Sequence, residues 1–335
     1  MPAKTIPMLL LSEMVDGQVG DMFLLMTSKE ASTTRDGRPY YKVAFRDAGR
    51  EVNFPIWEDS ALISACRDQW EPGTFYKVRA RYVETTYGPQ LEIEKIRPVQ
   101  PQDESDGFDP LMCTPQSRYD PDEMYAELVH LVRHHVTDES LCRLVLEVLE
   151  DNRKAFMKFP AASHNHHAYA AGLLEHTLSV TRSCVFLAKK YDEYYDDLQP
   201  PLRKDLVVAG AVLHDIGKLQ EYDLKPQGAE YSVTGNLIGH VLLGRDMVRQ
   251  SPAARDVDPD TLVRLEHIIV SHQRLPEWGA PKPPMTPEAM IIHFADDLDA
   301  KYHMLYAAIR DDPTDGPMTS TRNALRQRLY RGEQP

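Results

Sequence analysis

From Asp21 to Arg97 apolar and polar residues alternate in short runs: YYKVAF (40–45), EVNFPIW (51–57), TFYKVRARYVE (74–84) and QLEIEKI (90–96). Alternation with a period of two turns one side of a strand toward a core and the other toward water. The segments between the runs, RDGRP (35–39), RDAGR (46–50) and TYGPQ (86–90), carry the Asp-Gly and Gly-Pro chemistry of turns, and SALISACRDQ (60–69) reads as one short helix. Five strands with a helix between the third and fourth predict a small five-stranded barrel of the OB type over residues 1–98. Residues 99–122, rich in Pro, Asp, Ser and Gln and without periodicity, read as a linker or a strap across a neighbouring surface.

Beyond the linker the period lengthens. Apolar residues three and four apart predict helices over 122–136, 139–152, 173–191, 204–219, 237–250, 260–272 and 287–309. The expected architecture is therefore a β barrel followed by an all-helical domain over 123–325.

Composition narrows the class. A chain of 335 residues with 42% hydrophobic and 27% charged residues is ordinary for folded globular domains. Four scattered cysteines without a CxxC pair argue against a disulfide framework, and the apolar run IPMLLL is too short to span a membrane, so a cytoplasmic protein is expected. The net charge of −13 opposes nucleic-acid binding, but it is unevenly spread. Residues 1–98 hold 13 Lys/Arg against 14 Asp/Glu, so nearly all the excess acid lies in the second part. Acidic side chains there can solvate the surface or hold metal ions, whose charge reverses the field that a phosphate meets.

In VLHDIGKLQE (212–221) His214 stands beside Asp215 at the end of an apolar run. Burying either without a partner is costly. A histidine and an aspartate bonded to each other in a core are the plain reading. Further ligand-type residues stand on the neighbouring helices, however: His176, His240, His272 and Asp296 each follow or interrupt an apolar stripe. A point inside the bundle can therefore see them all. Imidazole and carboxylate donors suit divalent manganese, iron or zinc, and a carboxylate such as Asp215 can bridge two cations.

The order His176, His214-Asp215, His240, His272, Asp296 resembles the HD phosphohydrolase superfamily. More narrowly, FPAASHNHHAYAAGLLEHTLSV (159–180), LHDIGKLQEY (213–222), GNLIGHVLLG (235–244), HIIVSHQRLPEWGAPKPP (267–284) and FADDLDAK (294–301) resemble the YhaM family of bacterial 3′-to-5′ exoribonucleases, which join an OB-fold to an HD domain. The similarity runs from about residue 18 to 310. It implies His176, His214, Asp215 and Asp296 as ligands of one divalent ion, and His240 and His272 as ligands of a second that Asp215 bridges. Manganese is the expected ion, with iron, cobalt, magnesium or zinc as alternatives. Gln273 departs from the family, where a second His is usual, and this puts the second ion in doubt. Asp299, three residues from Asp296, is a supporting candidate, and His267 a packing one.

The implied reaction is hydrolysis of the terminal phosphodiester of single-stranded RNA, with DNA as a further substrate. Asp215, Lys218, His166 and His167 are the catalytic candidates, Lys218 and the two histidines through contacts to the phosphate or the leaving oxygen. Trp57 and Lys42 on the barrel, and Trp278 in EWGAPKPP (277–284), are the substrate-binding candidates, by stacking and backbone charge. Of the barrel aromatics Tyr40, Phe45, Trp57, Tyr76, Tyr82 and Tyr87, most are expected in its core, since alternation buries one face of each strand. No membrane partner is expected; a homo-oligomer is admitted. Two other functions fit the same residues. One is an HD hydrolase of a nucleotide or cyclic dinucleotide with a regulatory barrel; the other is a binding module whose HD site Gln273 disables.

Overall fold

The computed structural model describes residues 7–163, 165–312 and 314–332, so Ile6 of IPMLLL and His164 of the 159–180 block lie outside the described residues. The chain forms two compact units. One is built from the N-terminal part up to Gln116 together with Lys225–Gly228, the other from Ser117–Leu224 and the chain from Ala229 onward.

In the first unit, β1 (Val19–Thr33), β2 (Pro39–Arg46), β3 (Glu51–Trp57), α1 (Ile63–Gln69), β4 (Phe75–Thr85) and β5 (Gly88–Pro98) follow one another. All neighbours are antiparallel in the order β3-β2-β1-β4-β5, and β3 approaches β5, closing the sheet into a partly open barrel. This order, with the helix between β3 and β4, is the OB topology. The period-two pattern explains the register of faces: Val52, Phe54 and Ile56 are buried while Glu51, Asn53 and Trp57 are exposed. Inside, Phe45 lies 6.1 Å from Phe54 and edge-on to Trp70 and Tyr76 at 5.9 Å.

The segment read as a linker is a strap up to Gln116. Two 3-10 turns, Pro101–Glu104 and Pro110–Cys113, lie in it. Fully buried Asp103 takes paired hydrogen bonds of 2.7 Å from Arg97, and Phe108 packs 5.2 Å from Phe23 and 5.4 Å from Phe75. Turn-forming residues without periodicity look unstructured in sequence; here one buried acid and one aromatic hold them to the barrel.

The second unit contains α2 (Pro121–His135), α3 (Glu139–Phe156), α4 (Gly172–Tyr194), α5 (Lys204–Leu213), α6 (Lys218–Glu221), a hairpin of β6 (Tyr222–Lys225) and β7 (Gly228–Tyr231) except for its turn Lys225–Gly228, which counts with the first unit, then α7 (Val233–Ile238), α8 (His240–Gln250), α9 (Pro259–Ser271) and α10 (Pro287–Asp311). Asp120, Asp138, Asp258 and Thr286 cap α2, α3, α9 and α10 through side-chain acceptors, and in α2, α9 and α10 a proline follows at the start of the helix. Every residue of α5 from Asp205 to Leu213 is buried, because the helix is packed on both sides. On one side stand Leu144, Val148, Leu174 and Leu178; on the other Val180, Ile268, Ile292 and Ala295. A side chain at Gly210 would meet Ile268 and Ile292 at 2.7 Å.

Two expected helices are broken, and the breaks place the site. The run 204–219 divides after Leu213: Ile216 N–H donates to Leu213 and Lys218 N–H to Asp215, the tighter i to i+3 pattern. Gly217 permits this turn because a Cβ there would lie 2.0 Å from the His240 carbonyl and 2.4 Å from Gly244 N. The run 237–250 divides at Gly239, whose φ of 80° favours glycine. His214 and Asp215 thus occupy a turn, and His240 opens a helix. The hairpin β6–β7 was not expected from the sequence. Among the described residues no helix is long and apolar enough to cross a membrane.

Candidate metal centre

Six elements of the helical unit converge. His176 comes from the second turn of α4, His214 and Asp215 from the turn after α5, Lys218 from the start of α6, His240 from the start of α8, His272 from the end of α9 and Asp296 from α10. All except His240 are buried, and His240 is nearly so. His176 Nε2 lies 3.5 Å from Asp215 Oδ2, 3.2 Å from Asp296 Oδ1 and 3.4 Å from His214 Nε2. His214 Nε2 lies 3.3 Å from Asp215 Oδ2 and 3.9 Å from Asp296 Oδ1. On the other side of the same carboxylate, Asp215 Oδ1 lies 3.5 Å from both His240 Nε2 and His272 Nε2. Donors held ~2.1 Å from one ion stand ~3.0–3.4 Å apart at octahedral or tetrahedral angles, so both groups have the spacing of a ligand set. The structure therefore brings all six candidate ligands together around Asp215.

The chemistry of the donors agrees. Each of the four imidazoles turns Nε2 inward and has an oxygen at Nδ1: Asp299 at 2.7 Å for His176, the Ala211 carbonyl at 2.7 Å for His214, Glu221 at 3.0 Å for His240 and the Ile269 carbonyl at 2.8 Å for His272. An acceptor at Nδ1 places the proton there and leaves the Nε2 lone pair for an ion. Lys218 Nζ is 2.7 Å from Asp215 Oδ2, yet neither Asp215 oxygen nor His240 Nε2 has a hydrogen-bond partner of good geometry, although all are buried. Buried polar atoms without partners are costly, and a divalent cation satisfies all three. The cluster fits a metal centre.

Charge is tuned around it. Burial opposes ionisation of Asp215, but the Lys218 ammonium and His214 outweigh it and hold the carboxyl well below its usual range. Asp296 is held low in the same way, burial being outweighed by its bond with His176. Burial also opposes charge on His176, but Asp296 and Asp299 raise its pKa to about 9. His272 is pushed down by burial, so it is neutral at pH 7.

Lys218, a catalytic candidate from the sequence, is buried inside the cage. His166 has an unpartnered buried Nδ1 and a ring 5.6 Å from that of His176; burial and the Lys218 charge push its pKa down to about 3. His167 is buried, with a φ of 45°; its Nδ1 meets the Tyr169 hydroxyl at 2.7 Å and its Nε2 meets Asp299 at 3.2 Å, so it braces Asp299. Asp299 also accepts from Ser179 and so holds His176 and His167 together. His267 Nε2 accepts from Met285 N–H at 2.9 Å, a packing role. Gln273 places its amide nitrogen 3.1 Å from His272 Nε2. Sequence reasoning missed Glu221, Ser179, Tyr169 and His303; His303 lies 3.9 Å, centroid to centroid, from the His167 ring. The helical spacing of Asp296, Asp299 and His303, three and four apart, was the available signal for the last.

The substrate candidates lie at the surface. Trp57 is 43% exposed and 5.0 Å from Tyr40; Lys42 is exposed on β2. Beside them Pro39, Tyr40, Tyr41, Glu58 and Arg67 line a cavity of about 410 Å³. In the helical unit Trp278, on the 3-10 turn Pro276–Trp278, is 49% exposed.

Residues 173–301 match the family model of the HD domain. Over 28% of its length this chain is similar to a solved structure, the second OB-fold domain of replication protein A from Methanococcus maripaludis, with 12% identity, 95% of that chain covered and a TM-score of 0.22. The barrel assignment itself rests on strand order and closure.

Proposed function

We propose that this chain, an OB-type barrel followed by a helical HD domain, is a metal-dependent 3′-to-5′ exonuclease of single-stranded RNA, acting on single-stranded DNA as well. HD domains are typically metal-dependent hydrolases. The observation that carries the reading is Asp215: a buried carboxylate, ion-paired with Lys218 but with no hydrogen bond of good geometry at either oxygen, one oxygen facing His176 and His214 and the other facing His240 and His272. In this reading His176, His214, Asp215 and Asp296 hold one divalent ion, and Asp215, His240 and His272 hold a second; manganese is the favoured metal. Such ions supply an activated water and neutralise charge on the phosphoryl oxygens.

The chain's own residues do the rest. Lys218 brings a fixed positive charge to the phosphate, and its carboxylate partner keeps it protonated. His166, neutral at pH 7, donates a hydrogen bond to a phosphate or leaving-group oxygen. Asp299 and Glu221 hold the imidazoles of His176 and His240 in register. On the barrel, Trp57 with Tyr40 stacks bases without regard to sequence while Lys42 meets the backbone; Trp278 stacks at the entrance.

Purified protein with a 5′-labelled single strand and Mn²⁺ should give a ladder shortened from the 3′ end, and no shortening with Mn²⁺, Fe²⁺, Co²⁺, Mg²⁺ or Zn²⁺ would rule the reading out. One observation favours a second reading, hydrolysis of a nucleotide or cyclic dinucleotide with a regulatory barrel. Several barrel cations are already engaged: Lys77 with Asp106, Arg79 with Asp21, Arg81 with Glu92 and Arg97 with Asp103. Under that reading a cyclic dinucleotide is cleaved and long strands are not.

A further inference from the structure

Helix α10 carries two faces. Asp296 and Asp299 point into the metal centre, while Met290, Phe294, Leu298, Tyr302 and Tyr306 form an exposed ridge with a spacing of four, from 43% to 67% exposed. Phe294 and Leu298 each stand two residues from Asp296, about 160° around the helix, so the middle of the ridge faces away from the chemistry, while Tyr302 and Tyr306, three and seven residues beyond Asp299, turn toward its side further along the helix. A satisfied helix surface at this place would be polar.

We infer that the α10 ridge is a dimer interface: two copies of this chain pack ridge to ridge across a two-fold axis near Leu298. Three arguments choose a second copy. A ridge of i±4n residues fits the groove beside the same ridge on another helix, with axes crossing at about −50°, and a two-fold makes such a contact self-complementary. The area is right. An aromatic side chain carries ~150–250 Å², so five residues about half exposed present ~500 Å² per copy. Both copies together bury ~1,000 Å², the lower bound of a specific interface, and ~500 Å² per copy is near the top of the range of the largest patch on a single chain, a size that is often functional. The charge is right as well. In a chain of net charge −13 two copies repel, but the ridge is bordered by Lys301 paired with Asp297 at 2.7 Å, and ends at Arg310 paired with Asp311. The face is locally neutral.

The test is molar mass in solution, by light scattering and sedimentation equilibrium of the full chain from ~1 to ~100 µM. The expected mass is twice 38.2 kDa. Leu298→Asp buries a carboxylate at the axis and should weaken the dimer by a factor of ~100 or more, with an unchanged circular dichroism spectrum and melting curve because Leu298 is exposed in the single chain. Leu298→Met should remain dimeric. A wild-type chain that is monomeric at ~100 µM overturns the inference, as does a Leu298→Asp variant as tightly dimeric as wild type. So does a monomeric wild type that loses single-strand binding on the Leu298→Asp change, which would give the ridge to nucleic acid. None of these outcomes depends on which phosphodiester the metal centre cleaves.

Discussion

Asp299 touches no substrate in the proposed reaction, yet on the proposed ligand set metal affinity depends on it. Its carboxylate accepts from His176 Nδ1 at 2.7 Å and His167 Nε2 at 3.2 Å, and from the Ser179 hydroxyl. Asp299→Asn keeps an oxygen for His176 but removes the charge; Asp299→Ala removes both. A hydrogen bond to a charged group is worth ~1.5–3 kcal/mol, which corresponds to a factor of ~10–150 in affinity, and carboxylates behind metal-bound histidines cost ~10–100-fold when lost. Affinity for Mn²⁺ should therefore fall by ~10-fold in Asp299→Asn and by ~100-fold in Asp299→Ala. The natural control is two residues away: Asp297 pairs with Lys301 on the outer side of α10, and Asp297→Asn should leave Mn²⁺ affinity unchanged. Isothermal titration of chelator-treated protein measures all four Kd values. Equal affinities for wild type and Asp299→Ala would refute the placement of Asp299 behind a metal-bound His176.

Three further outcomes are expected. His176, raised to about 9 by Asp296 and Asp299 against its burial, carries a proton at pH 7 in metal-free protein. It must lose that proton to bind an ion, so affinity should rise by up to tenfold per pH unit between about pH 6.5 and 9. His176 contributes to the stability of the metal-free fold in the opposite sense, fully below about 6.5 and fading as pH rises through 9. Calorimetry in two buffers of different ionisation heat should count about one proton released at pH 7 with the ion that His176 holds; zero would contradict the assignment. Gly217→Ala would drive a methyl group to 2.0 Å from the His240 carbonyl, destabilising the fold by ~1–3 kcal/mol or more and loosening His240; a thermal melt as high as wild type would show the turn to be freer than described. Trp57→Ala should weaken binding of a single-stranded oligonucleotide by ~1–3 kcal/mol while hydrolysis of a small phosphodiester stays unchanged, and fluorescence anisotropy beside a chromogenic assay separates the two; equal loss in both assays would assign Trp57 to folding.

Period and residue type made both domains legible, and residue type together with the family resemblance picked out the six candidate ligands as a set. The strands and helices follow hydrophobic spacing, which packing then enforces: Val52, Phe54 and Ile56 alternate inward, and α5 is apolar throughout because it is covered on two sides. The breaks were not legible. A periodic run such as 204–219 continues to look helical until one knows that Gly217 must touch the His240 carbonyl, a contact between residues 23 apart in sequence. Supporting residues were hidden for the same reason. Glu221 is an ordinary glutamate until β6–β7 and α7 return the chain and set His240 against it. The sequence points to Lys218 for a phosphate contact but not to its ion pair with Asp215, because that pair depends on the turn that brings the ammonium inside.

The charges around the site connect these placements to function. Four carboxylates, Asp215, Asp296, Asp299 and Glu221, are held in their ionised forms within the cage and behind it, and the fixed ammonium facing them is that of Lys218. The His176 imidazolium offsets one more acid in metal-free protein, and that proton is the one an ion must displace. With His176 neutral and one divalent ion bound, the acids still outweigh the cations, and an incoming phosphate meets net negative charge. A second divalent ion reverses the sign. On the proposed two-ion reading, His240 and His272, aimed at the second oxygen of Asp215, would hold that ion, and Gln273 beside His272 in place of a further imidazole would make it the more weakly held of the two. Phosphate affinity should then follow the second metal-binding step and not the first.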